Sequence, residues 1–357
     1  MDSMSSQTLT TERLTTHVYL AGEPGAPPVV LLHGNVSSAD FFDRLGPALA
    51  GHYRVIAPDL RGFGRSEARP VDATRGLRDL SDDIAALLRS DALGLGDRPA
   101  HVVGWSVGGN VAIQLAIDHG PRVASLVLLN PGSPYGFGGT RGSNGEPCHP
   151  DCAGSGGGTA NPDFVRMLAR GDTGTEHPAA PANVMTQFYW KPPFRPEPAH
   201  EQRYLAAMLR THIDPGNYPG DTTPSANWPG ISPGTRGINN ALSPRYLDQS
   251  SVARIDPKPP VLWIRGADDQ IVSDRSMFDL GVLGELGLVP GWPGPQVFPA
   301  QPMVTQTRAV LDAYQQAGGD YREEVFDGCG HSPHIEHHDR TLALLEDFFR
   351  LHRDRPR

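Results

Sequence analysis

Cysteine is scarce in this chain, with three in 357 residues. Cys148 and Cys152 share the stretch "PCHPDC", and Cys329 stands alone in "GCGH". In a reducing compartment the pair stays as thiols, and a local disulfide is expected only on export. A zinc site built on Cys148, His149 and Cys152 lacks a nearby fourth ligand. Long apolar runs are also missing: none approaches the roughly 20 residues of a membrane span. No Lys/Arg-rich run offsets the formal net charge of −9, which argues against a nucleic-acid partner. The opening "MDSMSSQTLTTERLTT" has no apolar secretory core, so it reads as a flexible tail and the protein as cytoplasmic. No repeat recurs at a fixed period.

What is present is enough for one large core. Hydrophobic residues make up 38% and charged residues 20%, a balance that supports folding rather than disorder. The length suits one core carrying an insertion. The first part alternates short apolar runs with amphipathic stretches. "PPVVLLHG", "YRVIAPDLRG", "AHVVGWS" and "VASLVLLN" read as strands. "SSADFFDRLGPALAGH", "LRDLSDDIAALLRS" and "GGNVAIQLAIDHG" read as helices, the first with Phe41, Leu45 and Leu49 on one face, the last closed by Gly120. Such alternation implies right-handed crossovers and a mostly parallel central sheet with helices on both faces, an α/β fold. After Asn130 the pattern breaks into a run rich in Gly, Pro and Ser, and it resumes at "PPVLWIRG". The expected organisation is a core of residues 1–132 and 257–357, an insertion at 133–256 and a second insertion at 277–305. The helix "TRAVLDAYQQAGG", the strand "YREEVFDG" and the helix "RTLALLEDFFRLH" complete the core.

The chemistry points to one strand–helix junction. Gly104-Trp105-Ser106-Val107-Gly108 fits the nucleophile-elbow pattern Gly-x-Ser-x-Gly. A strand that turns at once into a helix brings backbone so close that flanking side chains would clash, hence the glycines. Ser106 is then held out above the sheet. The Val107 N–H faces the same spot at a helix N-terminus, where an oxyanion is favoured. A serine hydroxyl needs a base. "DGCGHSPHIEHHD" offers four histidines, and His331, first after a strand, is the expected base. His334, His337 and His338 read as a polar helix start; a metal site built from the cluster has no supporting scaffold. The base needs a carboxylate, and "GADDQIV" offers Asp268 and Asp269 at the end of a strand, one aimed at the histidine and the other at solvent or a loop amide. The segment after "VASLVLLN" offers Asn130 and no acid. The chain order is Ser, Asp, His.

With "HGN", "PDLRGFGRS", "GWSVGG", "GADDQIV" and "GCGHSPHIEHHD" in this order, the chain resembles the α/β-hydrolase superfamily over about two thirds of its length. The resemblance implies a catalytic triad of Ser106, Asp269 and His331, selecting Asp269 over Asp268. It also implies an oxyanion hole from the backbone N–H groups of Asn35 and Val107, with the Asn35 side chain available too. His33 would brace the loop, and Asp59 and Arg61 would hold turns by hydrogen bonds. Haloalkane dehalogenases and epoxide hydrolases of this fold use an aspartate nucleophile, which Ser106 replaces here. The chain departs from compact members in its long Gly/Pro-rich insertion and in the wide gap between Asp269 and His331.

In this fold such an insertion forms a cap. Trp105, Tyr189, Trp190, Trp228 and Trp292 are the expected substrate-binding residues, lining a pocket for a fairly large apolar substrate. The expected function is hydrolysis of a carboxylic ester or lactone through an acyl-serine, with no cofactor and no metal. The alternatives are carbon–carbon bond hydrolysis or cofactor-free perhydrolysis by the same triad, or a catalytically slow ligand-binding protein.

Overall fold

The computed structural model describes residues 4–352. Eight strands form the central sheet: β1 (Ser5–Thr10), β2 (Thr15–Ala21), β3 (Pro28–Leu32), β4 (Arg54–Pro58), β5 (Ala100–Trp105), β6 (Val123–Leu129), β7 (Val261–Gly266) and β8 (Tyr321–Phe326). Their order is β1-β2-β4-β3-β5-β6-β7-β8. β1 and β2 are antiparallel to each other and β2 to β4; all other neighbours run parallel. Every residue of β3 and β5 is buried, so both faces of the sheet are covered there. The apolar Val/Leu runs that signalled these strands are the reason: such strands have no polar face to give to water.

Helices α1 (Leu45–Leu49), α2 (Arg78–Arg89) and α3 (Val107–His119) follow β3, β4 and β5. Two expectations need correction here. The opening segment is no flexible tail: Ser5–Ala21 is a hairpin added to the sheet edge. β1 is exposed on both faces except at Leu9, which is half-buried, as suits a polar edge strand. The stretch after β3 is not one helix but a short 3-10 turn, Ala39–Phe42, and then α1. The break falls at Asp43–Arg44, where the Asp43 carboxylate turns aside to accept from the Tyr204 hydroxyl at 2.7 Å. Phe41, Leu45 and Leu49 are nonetheless all buried. Gly120 follows the last residue of α3 as expected, with φ −44°, and the chain runs on into a 3-10 turn, Gly120–Arg122.

Between β6 and β7 the chain leaves the sheet. There it forms α4 (Pro162–Arg170), α5 (Pro181–Val184), a π-helical turn at Met185–Tyr189, α6 (Pro198–Met208) and α7 (Ile238–Ala241). The Gly-rich stretch after β6 has almost no regular structure, as its composition predicted. Buried side-chain amides stand in for the missing ladder. Gln301 accepts from Gly138 N at 2.7 Å, Gln306 donates to the Gly142 carbonyl at 3.0 Å, and Asn240 accepts from Gly157 N at 2.8 Å. After β7 come α8 (Leu280–Glu285) and α9 (Met303–Gln316); after β8 come α10 (Pro333–Glu336) and α11 (His338–Leu351). Among the described residues no helix is long and apolar enough to cross a membrane.

Candidate active site

The parallel strands end at one edge of the sheet, and the candidate residues follow those ends. Ser106 stands between β5 and α3 with φ 55° and ψ −125°, a left-handed backbone that a non-glycine residue adopts at a cost of about 1–3 kcal/mol. The neighbouring glycines show why the turn tolerates no substituents. A Cβ on Gly104 would lie 2.3 Å from the Gly108 carbonyl oxygen, and one on Gly108 would lie 2.1 Å from the Leu32 oxygen. A Cβ on Gly34 would press on Ser106 itself, 2.9 Å from its Cβ.

His331 follows β8 and Asp269 follows β7. His331 Nδ1 lies 2.7 Å from Asp269 Oδ2, with both side chains buried. The other carboxylate oxygen accepts from Ile271 N at 2.7 Å and Val272 N at 3.1 Å. Asn130, at the end of β6, donates its amide to Asp269 Oδ2 at 2.5 Å and accepts from Gly266 N at 3.2 Å. The carboxylate is thus held from three strand ends. Asp268 points away and pairs with Lys191 Nζ at 2.8 Å near the surface. The Ser106 hydroxyl makes no hydrogen bond among the described residues, and the serine is only 9% exposed.

The loop carrying His331 is pinned by a residue absent from the sequence reading. Glu336, the last residue of α10, accepts from Gly330 N at 2.8 Å, Ser332 N at 3.1 Å and Lys191 N at 2.8 Å. It therefore joins the histidine loop to the insertion. The indole of Trp105 also ties the elbow to this loop, donating to the His331 carbonyl at 2.8 Å.

On the other side of Ser106 lies the His33–Val36 loop. His33 Nε2 accepts from Leu60 N at 2.9 Å, and Nδ1 lies 2.8 Å from the Gly34 carbonyl. The ring braces the loop as expected. Burial pushes its pKa down despite nearby Asp59, so it is neutral. Asp59 accepts from Ala39 N at 2.8 Å and Arg65 N at 2.9 Å. Burial opposes its charge, but the His17 hydrogen bond and neighbouring dipoles hold its carboxyl below the usual range. Arg61 grips Asp83 through two 2.7 Å bonds. The backbone N–H groups of Asn35 and Val107 have no acceptor among the described residues; Val107 opens α3, where such donors are free by construction. The Asn35 side-chain amide is taken: it donates to Asn239 Oδ1 at 2.9 Å.

The remaining candidates separate. Trp105 and Tyr189 adjoin His331, at ring distances of 5.6 and 6.5 Å, but both are turned into the core. Trp190 is buried against Phe194 and Tyr204. Trp228 packs on Phe298, and Trp292 donates to the Phe298 carbonyl; neither makes a ring contact or hydrogen bond to Ser106, Asp269 or His331. The histidines do not converge either. His334 corrects the expected polar helix start: it is buried between Phe42 and Trp105. His337 packs on Phe326. Among the described residues no group of three or more His, Cys, Asp or Glu side chains is placed to hold a metal ion, and the three cysteines are free. Asn130, Glu336, Asn239 and the Tyr189 hydroxyl are the supporting groups the sequence reading missed. Asn130 was visible as the polar residue ending β6; the other three carry no local signal.

Comparison with known proteins agrees with this fold. Residues 27–143 match the family model of the alpha/beta hydrolase fold. Over 120 residues the chain is 38% identical to a 2-hydroxy-6-oxo-6-phenylhexa-2,4-dienoate hydrolase of Burkholderia cepacia, covering 32% of this chain and 40% of that protein. Over 103 residues it is 39% identical to a pimeloyl-(acyl-carrier protein) methyl ester esterase of Aeromonas hydrophila, covering 29% and 37%. The chain thus spans less than half the length of these curated relatives. The esterase RhEst1 from Rhodococcus sp. ECU1013 superposes with a TM-score of 0.60 over 97% of this chain and 98% of that one, at 21% identity, a likeness of fold alone. The chain is an α/β-hydrolase-fold protein. The two relatives above are named as a hydrolase and an esterase.

Proposed function

We propose that this protein is a serine hydrolase that cleaves a carboxylic ester or lactone through an acyl-serine. The observation that carries the reading is the buried 2.7 Å His331–Asp269 pair, whose loop is tied through the indole of Trp105 to the turn that holds Ser106 at φ 55°. His331 takes the Ser106 proton as the hydroxyl oxygen attacks the carbonyl carbon. The C–O bond to the leaving alkoxide then breaks, and His331 returns the proton to that oxygen. Water, deprotonated by His331, releases the acid by the same route. The free N–H groups of Asn35 and Val107 receive the oxyanion in both steps. Asp269, acting on Nδ1, leaves Nε2 to face the serine.

In this reading residues 133–256 are the cap and 277–305 a second wall. The rings of Tyr189, Trp190 and Tyr204 are packed into the core and leave little ring surface for substrate. The match to a dienoate hydrolase supports the second reading, carbon–carbon cleavage of a diketone by the same residues. A panel of aryl esters, lactones and diketones against wild type and Ser106→Ala tests both. We expect turnover of an ester or lactone, a fall of several orders of magnitude in Ser106→Ala, and an unchanged melting temperature. Activity surviving in Ser106→Ala would overturn the mechanism; turnover of diketones alone would favour the second reading.

A further inference from the structure

The His33–Val36 loop has a shape that its own residues do not favour. Val36 has φ 45°, left-handed backbone that a β-branched residue adopts only under constraint. Two side chains from separate parts of the 133–256 insertion supply such a constraint. The Tyr189 hydroxyl donates to the Val36 carbonyl at 3.1 Å and lies 3.4 Å from the Asn35 carbonyl. Asn239 accepts from the Asn35 side chain at 2.9 Å, while Asn35 Oδ1 accepts from Val36 N at 3.1 Å. Tyr189 ends the π-helical turn, Met185–Tyr189, an irregularity that commonly re-aims a functional side chain. Asn239 lies in α7, close to the buried Tyr218. The ring of Tyr189 is wedged against Phe41 and Trp105, so its hydroxyl has a fixed address.

We propose that Tyr189 and Asn239 are positioning residues that set the oxyanion hole, so that the hole is complete only when the insertion is seated. This rests on the serine-hydrolase reading above. In this proposal, with Ser106 9% and His331 2% exposed, an ester enters by shifting part of the insertion. The Tyr189 and Asn239 bonds would then loosen, Val36 would relax, and the Asn35 N–H would turn from the attack site. Closure over a bound acyl group restores all three. Binding energy from the substrate is thereby spent on assembling the catalytic donors, the hallmark of induced fit.

The test uses p-nitrophenyl butyrate, a fluorophosphonate and an aryl trifluoromethyl ketone, whose adduct with Ser106 carries the oxyanion. Tyr189→Phe keeps the ring packing and removes one hydroxyl. It should lower kcat by roughly 10- to 100-fold with KM within about twofold, since one oxyanion donor is worth about that much or more. Ketone affinity should fall by the same factor. Asn239→Ala should act in the same direction. Adding Val36→Gly to Tyr189→Phe should recover most of the lost kcat, because glycine takes a positive φ without a tether. Wild-type kcat and ketone affinity in both single variants would overturn the proposal, as would a loss that Val36→Gly fails to recover. If wild type itself is not labelled at Ser106 by the fluorophosphonate, the serine-hydrolase reading falls and this one with it. If wild type and Tyr189→Phe are labelled at equal rates, only this one falls.

Discussion

At the scale of single residues, two adjacent carboxylates illustrate how environment assigns chemistry. Asp269 is buried and accepts from His331, Asn130, Ile271 and Val272; Asp268 is half-exposed and meets a lysine. An exposed ion pair of this kind contributes about 0–1 kcal/mol. Asp269→Asn places an amide among N–H donors and frees the imidazole to take the wrong tautomer. We expect kcat to fall on the order of 10³- to 10⁴-fold in Asp269→Asn. Asp268→Asn should stay within about threefold of wild type, given the small worth of its pair. Steady-state kinetics on one ester decides the matter, and equal losses would mean that the burial difference has no catalytic meaning. The residues themselves narrowed the acid to these two positions, and only the family resemblance selected Asp269. Which one faces the ring depends on the path of the chain after β7.

At the scale of elements, the histidine loop shows where local pattern ends. Its position after β8 was legible, because a short run with strand character ends in "DGCGH". Its stiffness was not. That comes from Glu336, whose carboxylate gathers N–H donors from Gly330, Ser332 and Lys191. Gly330 is needed there too, since a Cβ would lie 2.6 Å from Lys191 N. In Glu336→Gln one oxygen becomes an amino group facing N–H donors. We expect a stability loss of about 1–3 kcal/mol by urea unfolding, together with a lower kcat at nearly constant KM. A variant as stable and as active as wild type would show that the loop is held by packing alone. The terminal hairpin and the split helix after β3 are the corresponding failures of local reading. Alternating threonines carry a strand signal only once an edge strand accepts them, and the spacing of Phe41, Leu45 and Leu49 does not mark the change from 3-10 turn to helix at Asp43–Arg44.

At the scale of the whole molecule, two buried imidazoles tie stability to pH. Burial lowers the His334 pKa to about 3, with His338 and His331 adding to it and only the Phe41 backbone opposing. Burial lowers His101 to about 4 beside Ser125. Both rings fold neutral, whereas the unfolded chain takes up protons near pH 6.5. Their contribution is therefore fully present above about pH 6.5 and is lost as pH falls toward 4 and then 3. Each ring adds a slope of about 1.4 kcal/mol per pH unit within its window. Urea unfolding at pH 7, 5 and 4 should show this fall, and His334→Phe should flatten part of it. An acid profile identical in His334→Phe would remove His334 from the account.

The sequence by itself determined the α/β alternation, the elbow at Ser106, the histidine loop and the pair of candidate acids. These signals are local: apolar periodicity and glycine spacing act between residues a few positions apart. Only the tertiary structure decided that Asp269 meets His331 across 62 residues, and that Asn35 meets Asn239 across 204. It also turned the aromatic rings beside the site into the core and buried His334. Such outcomes depend on which surfaces are pressed together when the sheet forms and the insertion settles on it. A hydrogen bond between distant segments leaves no trace in the spacing of either one.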